Sequence, residues 1–242
     1  MTAQQAAAHP PSGSRRALRA AGWGLTVTGR SLRFVPPLLA LLVFLGLFFV
    51  QGGQAAGSVV AADVIATFSL AIWFTLAHLG AMPRGHRDIT QATVGRAAHF
   101  AGDGLGALVL GCAAGLLSVG WASVLGIVRD RPDAAGTAAW CALVCVAALA
   151  GVAAGSLLHC LPLGAPARFV AAVGVVALVL ARPALPSEVS WPIPAAMDIA
   201  KATNASFPPG AAAGIAAVGT VAWSVVALAL AAWSGSRWSG PE

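Results

Sequence analysis

Acidic and imidazole side chains inside apolar segments are the residues of this 242-residue sequence whose types could do chemistry. Asp63 and Asp103 each lie within an apolar run, and His78 follows Asp63 in the same run. An ionisable group costs free energy to bury in such a segment, so it marks a candidate functional position. Two carboxylates could act as an acid and a base, and a carboxylate with a histidine could relay a proton.

The spacing of these residues argues against both arrangements. We expect Asp63 near the outer end of the second apolar run and Asp103 near the inner end of the third, so the two acids cannot share a proton. Asp63 and His78 are separated by about 22 Å along one helix, and no further relay group is visible between them. The structural alternative is that Asp63 reaches headgroup water or caps a neighbouring helix. Asp103 would then occupy a helix start, where the helix dipole favours a negative charge.

Catalytic motifs are missing from the sequence. It contains no GxxxxGK[ST] phosphate loop, no HExxH and no GxSxG, and its only lysine, Lys201, stands in Ala-Lys-Ala-Thr. We therefore expect no catalytic residue, no cofactor and no ATP hydrolysis by this chain itself.

The four cysteines form no CxxC pair and lie within or beside apolar runs. Cys141 and Cys145 share a helix face, and His159 precedes Cys160, so a metal site can be imagined. Packing by small apolar side chains is the preferred interpretation, and we expect no metal.

Composition indicates which solvent surrounds the chain. Hydrophobic residues make up 58% and charged residues 9%, with a mean hydropathy of +0.82. Soluble domains carry about 25% charged residues, so this composition is typical of a membrane protein. We predict an all-α polytopic protein with six transmembrane helices, at residues 34–50, 59–82, 100–128, 137–161, 169–181 and 210–233.

Three regions follow from this pattern. Residues 1–33 form a cytoplasmic tail with a possible interfacial helix, residues 34–234 the transmembrane domain, and residues 235–242 a second cytoplasmic tail. The first region has arginines interleaved with apolar residues and Trp23, as an interfacial helix does, although Gly22 and Gly24 should weaken it. Repeated prolines between residues 183 and 209 exclude one straight helix there.

The distribution of basic residues predicts the orientation. With a cytoplasmic N-terminus, ten basic residues lie inside and four outside, so both termini should be cytoplasmic in the cell (plasma) membrane. The same residues would contact anionic lipid, and no nucleic acid is expected as a partner. The inside residues are Arg15, Arg16, Arg19, Arg30, Arg33, Arg84, Arg87, Arg96, Arg168 and Arg237; the outside ones are Arg129, Arg131, Arg182 and Lys201.

Small residues and tryptophans give two further expectations. Glycine pairs four residues apart predict close helix packing. Most tryptophans, Trp140 among them, fall toward the ends of apolar runs and are expected in a boundary belt. The glycine pairs are Gly102 and Gly106, Gly111 and Gly115, Gly151 and Gly155, and Gly210 and Gly214.

The order of these parts resembles the membrane subunit of type-two ABC exporters. The basic segment from Arg15 to Arg33 is similar to the interfacial helix of that family. Residues 83–96, between the second and third spans, occupy the place of its coupling helix. The proline-broken segment before the last span stands where the family has short re-entrant helices.

The resemblance implies a function and partners. A separate ATPase subunit would bind on the cytoplasmic face, and a drug, peptide or lipid-like substrate would be exported between two permease copies or related permeases. Arg84, Arg87, Asp88 and Arg96 would contact the ATPase, because charged loop residues can pair with a groove of a partner. The alternative for these arginines is that they only anchor the loop to anionic lipid.

Two other classes of protein are open on the sequence. A non-transporting immunity or scaffold protein would act by binding partners in the bilayer and would need no ATPase. A membrane enzyme is disfavoured, because paired catalytic groups at matched depth are missing. An ATP-binding subunit encoded beside this chain would favour the exporter.

Overall fold

The computed structural model describes residues 12–48, 52–129, 131–184 and 193–237, and within these ranges it is all-α, with no β-strand. A short 3₁₀ helix, Arg182–Ala184, follows the seventh α-helix. The α-helices in chain order are α1 Gly13–Ser31, α2 Val35–Phe48, α3 Ala56–Ala81, α4 Arg84–Val94, α5 Arg96–Val124, α6 Ala134–Cys160, α7 Ala165–Ala181, α8 Ala196–Ala205 and α9 Ala211–Arg237.

Four helices in the described part, α3, α5, α6 and α9, are long and apolar enough to cross a membrane. Helices α1 and α2 pass the same criterion together but meet at a bend of 79°, which gives up to five spans. Helix α7 is apolar but has only 17 residues. The predicted all-α class is confirmed, and the long apolar helices indicate a membrane-embedded protein.

Helix α3 lies at the centre of the bundle, where it packs against α1, α5, α6 and α8. Its aliphatic and aromatic side chains, including Val64, Phe68 and Ile72, are buried in one core with Val144 of α6. A helix that is apolar on all sides is expected in such a position. Helix α9 lies at the periphery, with only 22% of its span buried.

Glycine brings the central helices close together. A Cβ atom at Gly151 of α6 would lie 2.5 Å from the Phe68 carbonyl oxygen of α3, and one at Gly102 of α5 would lie 2.7 Å from the Ala17 carbonyl oxygen of α1. Three of the four predicted glycine pairs face such contacts. The fourth does not, since a Cβ at Gly214 would meet nothing within 4 Å.

Helix α1 differs from the expectation that Gly22 and Gly24 weaken it. Gly22 and Gly24 do not interrupt it, because the helix runs unbroken for 19 residues. Gly24 instead permits close approach to α3, since a Cβ there would lie 3.0 Å from the His78 ring. The helix ends at Leu32, whose φ of 55° turns the chain into α2.

The two predicted polar connections are partly helical. Residues 84–94 form α4, a separate short helix between α3 and α5. The described parts of the proline-rich segment include the 3₁₀ helix and α8, which are joined by an ion pair of 2.7 Å between Arg182 and Asp198. That segment is therefore not one straight helix, as predicted, and Pro186 and Pro192 lie outside the described residues.

The glycine contacts predict how alanine substitutions affect stability. Gly151→Ala should destabilise the protein by about 1–3 kcal/mol, because the new methyl group would overlap the α3 backbone. Gly219→Ala is the matched control, since a Cβ there would meet no atom within 4 Å. Thermal unfolding of the purified protein in detergent measures both, and equal midpoints for the two variants would contradict close packing at Gly151.

Candidate functional site

Polar side chains from three helices meet where α1, α3 and α5 come together. The Thr28 hydroxyl of α1 donates to the Gly24 carbonyl at 2.9 Å, and its oxygen lies 2.7 Å from Nδ1 of His78 on α3. Both side chains are buried.

His99 and Asp103 of α5 lie beside this pair. They are four residues apart and so share a helix face, with Nε2 of His99 3.4 Å from Oδ2 of Asp103. The expected dipole contact of Asp103 is wrong, because α5 begins at Arg96 and the dipole acts only within the first turn. His99, and not the helix terminus, lies beside this carboxylate, and neither ring nitrogen of His99 makes a hydrogen bond among the described residues.

Arg87 of α4 turns back toward the bundle. Its Nη1 donates to Nε2 of His159 on α6 at 3.3 Å, and its Nη2 donates to the Leu79 carbonyl of α3. This side chain ties α4 to two long helices at the same end of the bundle. We call the resulting set the polar cluster: Thr28, His78, Arg87, His99, Asp103 and His159.

Asp63 lies elsewhere, in a contact between α3 and α6. Its side chain is 0% exposed, and its Oδ2 accepts a hydrogen bond of 2.8 Å from Nε1 of Trp140. Trp140 is itself 1% exposed. The expectations that Asp63 reaches headgroup water and that Trp140 lies in a boundary belt are therefore wrong, because both side chains are buried and the indole N–H of Trp140 is satisfied by Oδ2 of Asp63. Oδ1 of Asp63 has no hydrogen-bond partner among the described residues.

The two acidic positions are far apart. Trp140 contacts Asp63 near the start of α6, whereas His159 joins the polar cluster near its end, about 28 Å further along that helix. On α3, the Thr75 hydroxyl lies between Asp63 and His78 in the sequence, but it donates its proton to the Ala71 carbonyl at 2.6 Å. Asp63 and Asp103 do not come together, and no continuous proton relay joins Asp63 to His78 among the described residues.

The outward face of α4 carries different side chains. Asp88 is exposed, and so is Arg96 at the start of α5. Ile89 is 65% exposed although most residues of α4 are polar. The side chain of Arg84 lies outside the described part of the structure. The residues proposed for the ATPase contact thus divide, with Arg87 turned inward and Asp88 and Arg96 outward.

Several residues of the site were missed from the sequence. Thr28, His99 and His159 join the polar cluster, and Trp140 is the donor to Asp63. A comparison of the depth of polar residues in neighbouring spans could have found His99, His159 and Trp140. Each of these residues stands near the same end of its apolar run as the residue that it contacts. Thr28 gives no such signal, since its approach depends on the packing of α1.

Metal ligands do not cluster in the described ranges, where no group of three or more His, Cys, Asp or Glu side chains could hold an ion. The cysteines Cys112, Cys141, Cys145 and Cys160 are all free thiols.

The Asp63 contact predicts a coupled pair. Trp140→Phe should destabilise the protein by about 1–3 kcal/mol, because the buried carboxyl group loses its donor. Adding Asp63→Leu should recover most of that loss, since both polar groups are then replaced by apolar ones. Thermal unfolding of the two single variants and the double variant measures the coupling. Trp121→Phe, at an exposed tryptophan of α5, is the control, and simple additivity would contradict the contact.

No family model matches the chain, and neither a curated protein nor a solved structure is similar to it. The contacts of its own residues are therefore the basis for a functional proposal.

Proposed function

We propose that this chain is the membrane-spanning permease subunit of an ABC exporter, which moves a drug, peptide or lipid-like substrate with a separate ATPase subunit. The observation that carries the proposal is α4, a short helix held between α3 and α5 with Ile89 and Asp88 exposed on its outward face. An exposed aliphatic side chain flanked by a charge suits a groove on a partner protein.

Coupling to an ATPase requires a lever that transmits motion into the spans. Helix α4 follows α3 after two residues and is separated from α5 only by Gly95. Arg87 fastens it to the Leu79 carbonyl of α3 and to His159 of α6. A displacement of α4 would therefore move three long helices, and in this role Arg87 braces the lever while Asp88, Ile89 and Arg96 meet the ATPase.

The proposal includes six spans with both termini on the cytoplasmic side of the plasma membrane. Helix α2 would be the first span and α7 the fifth, with α1 along the cytoplasmic surface; the bend of 79° between α1 and α2 suits this arrangement. Helix α7 extends about 26 Å, slightly less than the hydrocarbon core of about 30 Å. The bilayer would thin locally to accommodate it.

A second copy, or a related permease, would complete the transport path. Helix α9 has an outward face at helical spacing on which Gly214, Val218, Val221 and Val225 are exposed. A glycine among β-branched residues lets two helices approach closely in lipid. We assign this face to the contact between the two permeases.

The docking assignment can be tested by introducing a negative charge at the exposed face of α4. Ile89→Asp should weaken binding of the ATPase encoded beside this chain by at least about tenfold, because hot-spot side chains contribute more than 1–2 kcal/mol. Val124→Asp is the control, since it makes the same change at the far end of α5. Co-purification from detergent-solubilised membranes measures binding, and an unchanged yield with Ile89→Asp would reject the docking face.

The contact between the two permease subunits can be tested by introducing a large side chain on α9. Gly214→Phe should shift the purified protein from dimer to monomer, because the ring would hold the two helices apart. Gly174→Phe on α7 introduces the same side chain at another open position. Light scattering in detergent gives the mass of each variant. The control should remain a dimer, and a dimer that persists in Gly214→Phe would refute the assignment.

A further inference from the structure

A cavity of about 500 Å³ lies between α6, α7 and α9. Leu158 of α6 is buried at its base, while Leu161, Leu178 and Leu230 are exposed around it. Trp233 of α9 also lines it. Because α9 and α7 are at the periphery of the bundle, this cavity is accessible from the hydrocarbon core of a membrane.

A basic side chain stands at one end of this cavity. Arg168 at the start of α7 donates from Nη2 to the carbonyl of Leu161, a lining residue, at 3.4 Å. This end of the cavity therefore carries the guanidinium group of Arg168.

The guanidinium group of Arg168 has no carboxylate within 4 Å among the described residues. The salt-bridge contacts found there join His99 to Asp103 and Arg182 to Asp198, and neither includes Arg168. The Nε atom of Arg168 is also buried without a hydrogen-bond partner in the described ranges. Partly buried cations of this kind favour an anion that can accept several hydrogen bonds.

We propose that the cavity binds an anionic phospholipid, with one acyl chain along Leu161, Leu178 and Leu230 and the phosphate at Arg168. The apolar lining suits the hydrocarbon chain of a lipid, and a free phosphate ion has no such chain. The guanidinium group of Arg168 suits a headgroup with a net negative charge, which a zwitterionic lipid does not have. The lipid would fill the space between α7 and α9 and so add packing to α7, of which only Ala172 and Val179 are buried.

Fluorescence quenching by brominated lipid tests this site. The purified chain is placed in nanodiscs that contain phosphatidylglycerol or phosphatidylcholine with the same brominated acyl chains, at equal mole fraction. The signal of Trp233 is obtained as the difference from Trp233→Phe. We expect stronger quenching by phosphatidylglycerol, and equal quenching by the two lipids would overturn the proposal.

Substitutions identify the headgroup contact. Arg168→Gln should reduce the preference for phosphatidylglycerol about fivefold, the typical contribution of one basic residue near a membrane surface. Arg168→Lys keeps the charge and should keep most of the preference. Arg30→Gln, on the exposed surface of α1, removes one charge elsewhere and should leave it unchanged. Equal loss in Arg30→Gln and Arg168→Gln would show a general surface effect and reject the site.

Competition with inorganic phosphate separates the two possible sources of the anion. Millimolar phosphate should not displace the brominated phosphatidylglycerol, because it cannot replace the acyl chain. Displacement would assign Arg168 to a soluble anion and overturn the lipid site. The unaltered protein is used here and no ATPase is present, so the result is independent of the exporter proposal.

Discussion

The close approach of α3 to α5 and α6 is the contact on which the rest of the structure depends. Gly151 and Gly155 of α6 and Gly115 of α5 lie directly against the backbone or small side chains of α3. In lipid, apolar side chains gain little by leaving their surroundings, so association relies on close van der Waals contact and on hydrogen bonds between helices. The glycines permit the close van der Waals contact, and Asp63 and Trp140 form a hydrogen bond between helices.

Helix α3 also joins the two polar regions of the bundle. Near its start, Asp63 accepts from Trp140, and near its end, His78 contacts Thr28. A polar group left unpaired in the bundle would cost free energy, so each of these residues restricts which helices can lie beside α3. The arrangement links α1 and α6 to the same central helix through different ends.

Helix α4 connects this core to the aqueous surface. Arg87 reaches from α4 to α3 and α6, while Ile89 faces away from them. One short helix thus combines an anchored side with an exposed side. Such a division suits a contact that must move the spans when a partner binds, and it is the physical basis for the exporter proposal.

The sequence by itself determined the membrane class, the positions of the long helices and three of the glycine contacts, because hydropathy and small-residue spacing are local properties of the chain. It also separated Asp63 from Asp103 by their places in the apolar runs. Only the tertiary structure decided which groups meet: Trp140 with Asp63, Thr28 with His78, and Arg87 with His159. Those pairs depend on the rotation and separation of neighbouring helices. Helices α3 and α6 are apolar on all sides, so their sequences do not specify which face meets which neighbour.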